Sequence, residues 1–472
     1  MAELLGTDKM KGIQPTRVHE LNDADPAEDA KYVLYWMQAS QRTRCNHALE
    51  YAIEQANHLE KPLVVCFGLM DDYPEANERH YVFMLEGLRD VEANLKKRDI
   101  KFVCKHGQPA EVALHYAEDA VLLVGDMSYT REPRKWYDRV ADDAKVRYVQ
   151  VESEVVVPVE EVSDKQEHAA RTIRPKIHKK WDDYFVELPE RKVGKSSVRL
   201  KVTGDIDVSH PTKAAEKLKI DRDVKKSPCY TGGEDEAQKL FCSFIDEKLK
   251  GYSDGRNEPS DDFHSYMSMY LHFGQVSPVE LAMEIKSTRK GSKDDRESYL
   301  EEMIVRRELS KNFVWYCRDY DSYSSVVPDW AKKTLKEHKS DERPHRYTRD
   351  ELEKAETDDD YWNAAQKQMT LTGFMHNYMR MYWGKKILEW CNTPQYAYET
   401  TLYLNNKYFI DGRDPNSFGN VGWIYGLHDR GWTERDVFGK VRYMAASGLE
   451  RKFDIEQYVE QIQKLEDELK HD

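Results

Sequence analysis

The chain has no paired cysteine motif. Its seven cysteines, Cys45, Cys66, Cys104, Cys229, Cys242, Cys317 and Cys391, are odd in number and scattered, with no C-x-x-C among them, which argues against a disulfide framework and a zinc site alike. It also lacks any apolar run approaching the eighteen or so residues of a membrane span, and residues 1–31 are too polar for a secretory signal. A soluble intracellular protein, cytoplasmic or nuclear, is expected. No internal repeat or low-complexity tract is present. An excess of positive charge is missing as well: 72 Lys and Arg face 86 Asp and Glu, a formal net charge of −14, so the long-range field repels polyanions and any nucleic-acid site has to be locally basic. One such stretch is 165–180, where Lys165, Arg171, Arg174, Lys176, Lys179 and Lys180 stand against the single acid Glu167; a solvated helix face is an equal reading of that run.

Apolar residues make up 40% of the chain, enough for two cores, and the length exceeds what one core usually supports. Short apolar runs at 32–36, 62–68, 100–105, 121–125 and 147–151 alternate with stretches of helical spacing such as 47–56 and 81–89. That alternation predicts an α/β domain with a mostly parallel, Rossmann-like sheet, whose ligands would lie beyond the strand C-termini. No G-x-G-x-x-G follows the first strand, so a dinucleotide is not expected on that half. Composition turns to Lys, Ser, Gly and Asp near residue 190 and back to helical periodicity near 236. The expected organisation is therefore a polar extension over 1–30, an α/β domain over 31–189, a linker over 190–235, and an all-α domain over 236–472.

The second half carries the chemistry. Leu371-Thr-Gly-Phe-Met-His-Asn-Tyr-Met-Arg-Met-Tyr-Trp383 is followed by Asp411-Gly-Arg-Asp-Pro-Asn416 and by Trp423 in a glycine-flanked segment. Arg380 and Asp411 are natural partners for a charge-assisted pair. Trp383 and Trp390 are seven residues apart on one helix face, roughly 10 Å of rise from each other, and Trp362 from the preceding segment fits between them; three packing tryptophans are the plainer reading. In 301–308, Glu302 and Arg306 share a face and suit an ordinary i,i+4 ion pair, although a carboxyl lining an apolar pocket can also hydrogen-bond a pyrimidine edge. The hydroxyl-rich start of 265–274 reads as a helix cap or as an anion site.

Together these segments resemble the photolyase/cryptochrome family, and within it the class II cyclobutane pyrimidine dimer photolyases, over most of the chain. The resemblance implies an FAD-binding helical domain and light-driven repair of DNA: the reduced flavin donates an electron to the flipped-out dimer, the cyclobutane bonds break, and the electron returns. It assigns the cofactor to Tyr252, Ser265, Met267 through its backbone, Ser268, Asn377, Arg380, Asn405 and Asp411, with Asn405 facing flavin N5 and Asn406 in reserve. It assigns electron transfer to Trp383, Trp362 and Trp390, in that order outward. Glu302 is to assist at the lesion, which Arg256, Asn257, Met381, Trp423, Arg430 and Arg442 also contact. Met269 stands where the family usually has proline, and some relatives have tryptophan in place of Arg306. An antenna chromophore, a deazaflavin or a folate, is expected only as an option. The expected partner is UV-damaged DNA, met by a monomer with no membrane and no protein partner. Two other readings are a flavin photoreceptor of the cryptochrome kind that signals without repair, and a non-photochemical nucleotide-binding protein.

Overall fold

The structure, a computed structural model, describes residues 3–27 and 30–471. Six strands form one sheet in the order β1-β6-β5-β2-β3-β4, with β1 Val18–Glu20, β2 Tyr32–Trp36, β3 Leu63–Leu69, β4 Lys101–His106, β5 Ala120–Asp126 and β6 Tyr148–Val151. β2 to β6 pair in parallel, and β1 runs antiparallel to β6 on the edge. The central strands are buried along their whole length, as continuous apolar runs require when helices cover both faces. Val33, Tyr35, Val65 and Phe67 face the helices His47–His58 and Glu78–Lys97. Leu34, Trp36, Val64 and Cys66 face Pro109–Ala117 and Arg131–Asp143. The expected α/β fold is thus present, and helices alone follow it: among the described residues no strand lies beyond Val151. Part of the polar extension expected over 1–30, of which residues 1, 2, 28 and 29 fall outside the described ones, supplies the edge strand β1.

Residues 190–235 run back over the sheet domain. Ile206 N–H reaches the Cys104 carbonyl at 3.2 Å, and Val208, Ala214, Ala215 and Leu218 are buried in the core that holds helix Glu78–Lys97. Apolar residues at helical spacing, not strands, order this low-hydropathy segment. No helix among the described residues is long and apolar enough to cross a membrane.

The two halves meet at the first turn of helix Glu78–Lys97. The last carbonyls of any helix lack intrahelical partners and carry the negative end of its dipole. Here two such ends converge, those of Asp360–Thr372 and Pro394–Tyr408, and the sheet domain caps both. Arg79, 4% exposed, donates to the carbonyls of Met369 at 3.2 Å, Thr370 at 2.7 Å and Tyr408 at 2.9 Å. Asn77 donates to Lys407 O at 2.7 Å and the His80 ring bonds Phe409 O at 3.0 Å. Glu75 accepts from the Asn406 amide at 2.7 Å. Burial pulls the Arg79 pKa down to about 10, still cationic at neutral pH.

Arg79→Met takes the donor from the Thr370 and Tyr408 carbonyls, while Met369 O keeps the Gly373 N–H, each unmet group costing about 1–3 kcal/mol. The expected outcome is a urea midpoint shifted down by the equivalent of about 2–4 kcal/mol; an unchanged midpoint would show that the carbonyls are satisfied without the guanidinium.

Candidate functional site

Helix Asn377–Trp390 starts at His376, whose ring nitrogen accepts the Tyr378 N–H at 3.1 Å. One turn in, Arg380 meets Asp411, its Nη2 lying 3.2 and 3.3 Å from the two carboxylate oxygens. Asp411 sits in the loop that leaves helix Pro394–Tyr408, and the loop can fold back only because residue 412 is glycine: a Cβ there would lie 2.8 Å from Asn406 O and 2.9 Å from Phe409 O. The Arg380 guanidinium also lies 3.7 Å from the centroid of the Phe409 ring. The two side chains keep 23% and 12% of their surface, so the pair is partly desolvated yet open to a ligand. The neighbouring amides divide their work. Asn406 is fully buried and committed to Glu75 and to the backbone N–H of Arg413, whereas Asn405 is held only by a 3.1 Å bond to Asn406.

From Arg380 an aromatic wall leads to the other half of the site. Phe374 is 5.9 Å from the Arg380 guanidinium and 5.0 Å from the Tyr266 ring. Tyr266 takes a left-handed φ of 59° to start helix Met267–His272. Ser265 accepts from the Tyr299 hydroxyl at 3.1 Å and from the Met267 N–H at 3.4 Å; Met267 is buried and Ser268 is exposed on the first turn. Tyr299 packs against Tyr252 at 5.5 Å, Arg256 lies 6.0 Å from the Tyr252 ring, and Arg256 Nη2 is 3.0 Å from Glu302. Asn257 and Met381 are half-buried, and Asn377 is exposed at its helix start.

The i,i+4 pair expected between Glu302 and Arg306 does not form. Residues Glu301–Arg306 wind as π-helix, whose wider turn aligns i with i+5, so Arg306 meets Glu301 at 3.1 Å and Glu302 is left for Arg256. Arg307 and Glu308 are buried against the sheet domain, on Glu154 O at 2.8 Å and the Val156 N–H at 2.5 Å. Burial raises the Glu308 carboxyl to about 7.

The tryptophans sit behind this pair, all three with at most 2% exposure. Trp383 is 6.4 Å from Phe409 and donates its indole N–H to Gln366 at 2.8 Å. Trp362 donates to the Trp383 carbonyl at 3.0 Å, and its ring is 5.5 Å from that of Trp390. Trp390 in turn lies 5.1 Å from Tyr347, whose hydroxyl donates to Asp358. Trp362 therefore touches both members of the Trp383/Trp390 face.

On the basic side, charge is more neutralised than the sequence suggests. Arg174, Lys176 and Lys180 are paired with Glu301, Glu167 and Glu161 at 2.7, 2.5 and 2.6 Å; Lys165, Arg171 and Lys179 stay exposed. Trp423 lies at the end of helix Pro415–Ile424. Arg442 bonds Asp429 through two nitrogens, at 2.8 and 3.0 Å, and stacks 4.1 Å from Trp432 and 5.4 Å from Trp423. Arg430 lies on Trp432 at 5.2 Å. Trp432, which the sequence reading passed over, is 39% exposed; its place between Arg430 and Arg442 was the available signal.

A cavity of about 150 Å³ lies apart from these groups, beyond the C-terminal ends of β2, β3 and β5, where adjacent crossovers part and doubly wound sheets bind ligands. Phe67, Tyr73, Met127 and Trp136 give it aromatic and apolar walls, and Lys311 and Asp414 enter from the helical half. Burial, with Arg307 nearby, pulls the Lys311 ammonium down to about 8; Asp414 and Glu154 act against that. Burial would raise Asp414, but Lys311 and His272 outweigh it and hold the carboxyl well below its usual range.

Lys311 is charged in both folded and unfolded chains below pH 8 and neutral in both above about pH 10.4, so the cost of its burial fades between those limits and stability rises with pH there. Lys311→Met is expected to flatten that rise in unfolding titrations from pH 7.5 to 10.5; an identical slope would place the titration elsewhere.

The groups a flavin dinucleotide needs are present: a cation–carboxylate pair open to a ring, helix-start N–H groups with a hydroxyl beside them, and a buried His264 Nε2 without a hydrogen-bond partner, its ring 5.1 Å from Phe374. Comparison with known proteins points the same way. Residues 33–192 match the family described as DNA photolyase. A deoxyribodipyrimidine photo-lyase of Arabidopsis thaliana is 40% identical over 92% of this chain and 89% of its own. The crystal structure of a class III photolyase from Agrobacterium tumefaciens superposes with a TM-score of 0.68 at 18% identity, covering 92% of this chain and 86% of that one, a likeness of fold. A deoxyribodipyrimidine photo-lyase of Methanothermobacter thermautotrophicus is 48% identical over 97% of this chain and the whole of its own length, and the chain belongs to the photolyase/cryptochrome family.

Proposed function

We propose that the protein is a deoxyribodipyrimidine photo-lyase that repairs cyclobutane pyrimidine dimers in DNA by light, with FAD in its helical half, and that it acts as a monomer of class II. The observation that carries this is the junction at Phe409, where the open Arg380–Asp411 pair and the Trp383–Trp362–Trp390 series meet on one helix that also bears Met381. Asn405, the amide left nearly free beside that pair, supports class II. Bound and reduced FAD supplies the light-excited electron donor.

The residues do the rest. Asp411 orients Arg380, whose fixed cation favours negative charge on a ring laid against it. The Asn405 amide can donate or accept a hydrogen bond at a ring nitrogen. Ser265, Ser268 and the Met267 N–H hold phosphate, with Tyr252 and Asn377 completing the cradle. Glu302, steadied by Arg256, can accept a hydrogen bond from an N–H on the polar edge of an extruded pyrimidine, and Asn257 and Met381 border the same space. Trp423 offers an aromatic face, worth roughly 1–3 kcal/mol per stacked base, against an extrusion cost that is least for a damaged pair. Arg430 and Arg442 contact the strand. Trp390, Trp362 and Trp383 pass an electron inward from the surface. The cavity at the strand ends takes a planar antenna chromophore, a deazaflavin or a folate, with Lys311 meeting its polar edge.

Incubated with an oligonucleotide carrying one thymine dimer, the flavin-reduced protein is expected to restore the strand in blue light and not in darkness. Bound FAD without repair would favour the photoreceptor reading.

Trp383→Phe is expected to abolish photoreduction of oxidised FAD, followed by absorbance at fixed reductant, while leaving repair by pre-reduced enzyme largely intact. Loss of both would make Trp383 a packing residue.

A further inference from the structure

Helices Asn377–Trp390 and Pro415–Ile424 approach each other so closely at Gly384 that a Cβ there would lie 2.1 Å from the Ile424 side chain. The contact brings the next residue, Lys385, to the end of the second helix. Lys385 has no exposed surface, and its ammonium donates to the Ile424 carbonyl, one of the last-turn acceptors that a helix leaves unpaired. The same nitrogen lies 5.0 Å from the centroid of the Trp423 ring, while that side chain stays partly open to solvent. Asp429 and Arg442 are the charged groups that act on Lys385, one raising and one lowering its pKa against a dominant burial that takes it to about 7. Asp429 already has two bonds to Arg442, and among the described residues Lys385 forms no ion pair of its own, so Asp429 compensates the buried amine only in part. A methionine of similar length would fill this space without that desolvation cost; what the ammonium adds is a directed hydrogen bond and a cation against an indole.

We propose that Lys385 is a positioning residue for lesion recognition: through the Ile424 carbonyl and its contact with the ring it fixes the Trp423 indole, so that the open face is presented in one orientation to an extruded pyrimidine pair. The proposal rests on the reading of Trp423 as a stacking platform. Lys385 touches neither lesion nor cofactor in this arrangement and acts through Trp423 alone.

The test compares the affinity of FAD-loaded protein for a duplex carrying one thymine dimer and for the same duplex undamaged, by fluorescence anisotropy in the dark, in the wild type, Lys385→Met, Lys385→Gln, Trp423→Ala and the Lys385→Met/Trp423→Ala double variant. Lys385→Met is expected to cut the preference for the dimer roughly tenfold, the order of a partly desolvated cation–π contact, with an unchanged rate of flavin photoreduction. Lys385→Gln keeps a donor for the carbonyl and is expected to fall between the two. In the double variant the lysine change adds nothing to the loss from Trp423→Ala. Full preference in Lys385→Met while Trp423→Ala loses it overturns the proposal, as does a loss accompanied by slowed flavin photoreduction. Full preference in Trp423→Ala overturns the stacking reading itself. If Lys385→Met does not load FAD, Lys385→Gln is judged by the same criteria.

Discussion

Arg79 is a buried cation whose hydrogen-bond partners are all carbonyls, and the site depends on where it stands. It closes the C-terminal ends of the helices that carry Trp362 and Asn405, and its neighbours Asn77 and His80 hold the carbonyls that lead toward Asp411. Two helix ends of the same dipole sign would repel each other and expose unpaired acceptors if they met unaided. With a guanidinium between them they can converge, and their convergence brings Asp411 back onto Arg380. The sheet domain thus sets the geometry of a site to which it contributes no candidate flavin contact.

From that junction the side chains run in three directions. Through Phe409 and Trp383 they lead to Trp362, Trp390 and Tyr347, a series of oxidisable rings with neighbouring centroids 5.1–5.5 Å apart from Trp362 outward. Through Phe374 and Tyr266 they reach the helix start at Ser265, then Tyr299, Tyr252, Arg256 and Glu302. Along helix Asn377–Trp390 they pass Lys385 to Trp423 and the Arg442–Asp429 pair. Packing and the proposed electron transfer make the same demand on these side chains. A tryptophan that fills the core and has its N–H satisfied is also held rigidly enough for electron transfer.

Much of this was legible in the sequence where the local pattern and the tertiary environment agree. Continuous apolar runs gave the parallel strands to within a residue or two, because strands buried on both faces leave no other pattern. Arg380 and Asp411 could be paired because few charges lie in that stretch. The partner of Glu302 could not be read, since α-helical phase fails across a π turn. Nor could Arg79, Lys311 or Lys385: each sits in a polar window, such as Glu78-Arg79-His80 or Gly384-Lys385-Lys386, that has the appearance of a solvated face, and only the partner helix buries it. β1 was hidden for a different reason, three residues being too few to show an alternation. The order of Asn405 before Asn406 came from the resemblance alone, and the bond from Asn406 to Glu75 adds a physical difference between them.

The most direct test of the whole arrangement is a crystal structure of the protein loaded with FAD and bound to a duplex carrying one thymine dimer. The account predicts the flavin ring against the Arg380–Asp411 pair with Asn405 at its nitrogen edge, and the dimer extruded between Trp423 and Glu302. A structure with no flavin against the Arg380–Asp411 pair, or with the dimer left stacked in the duplex, would contradict it.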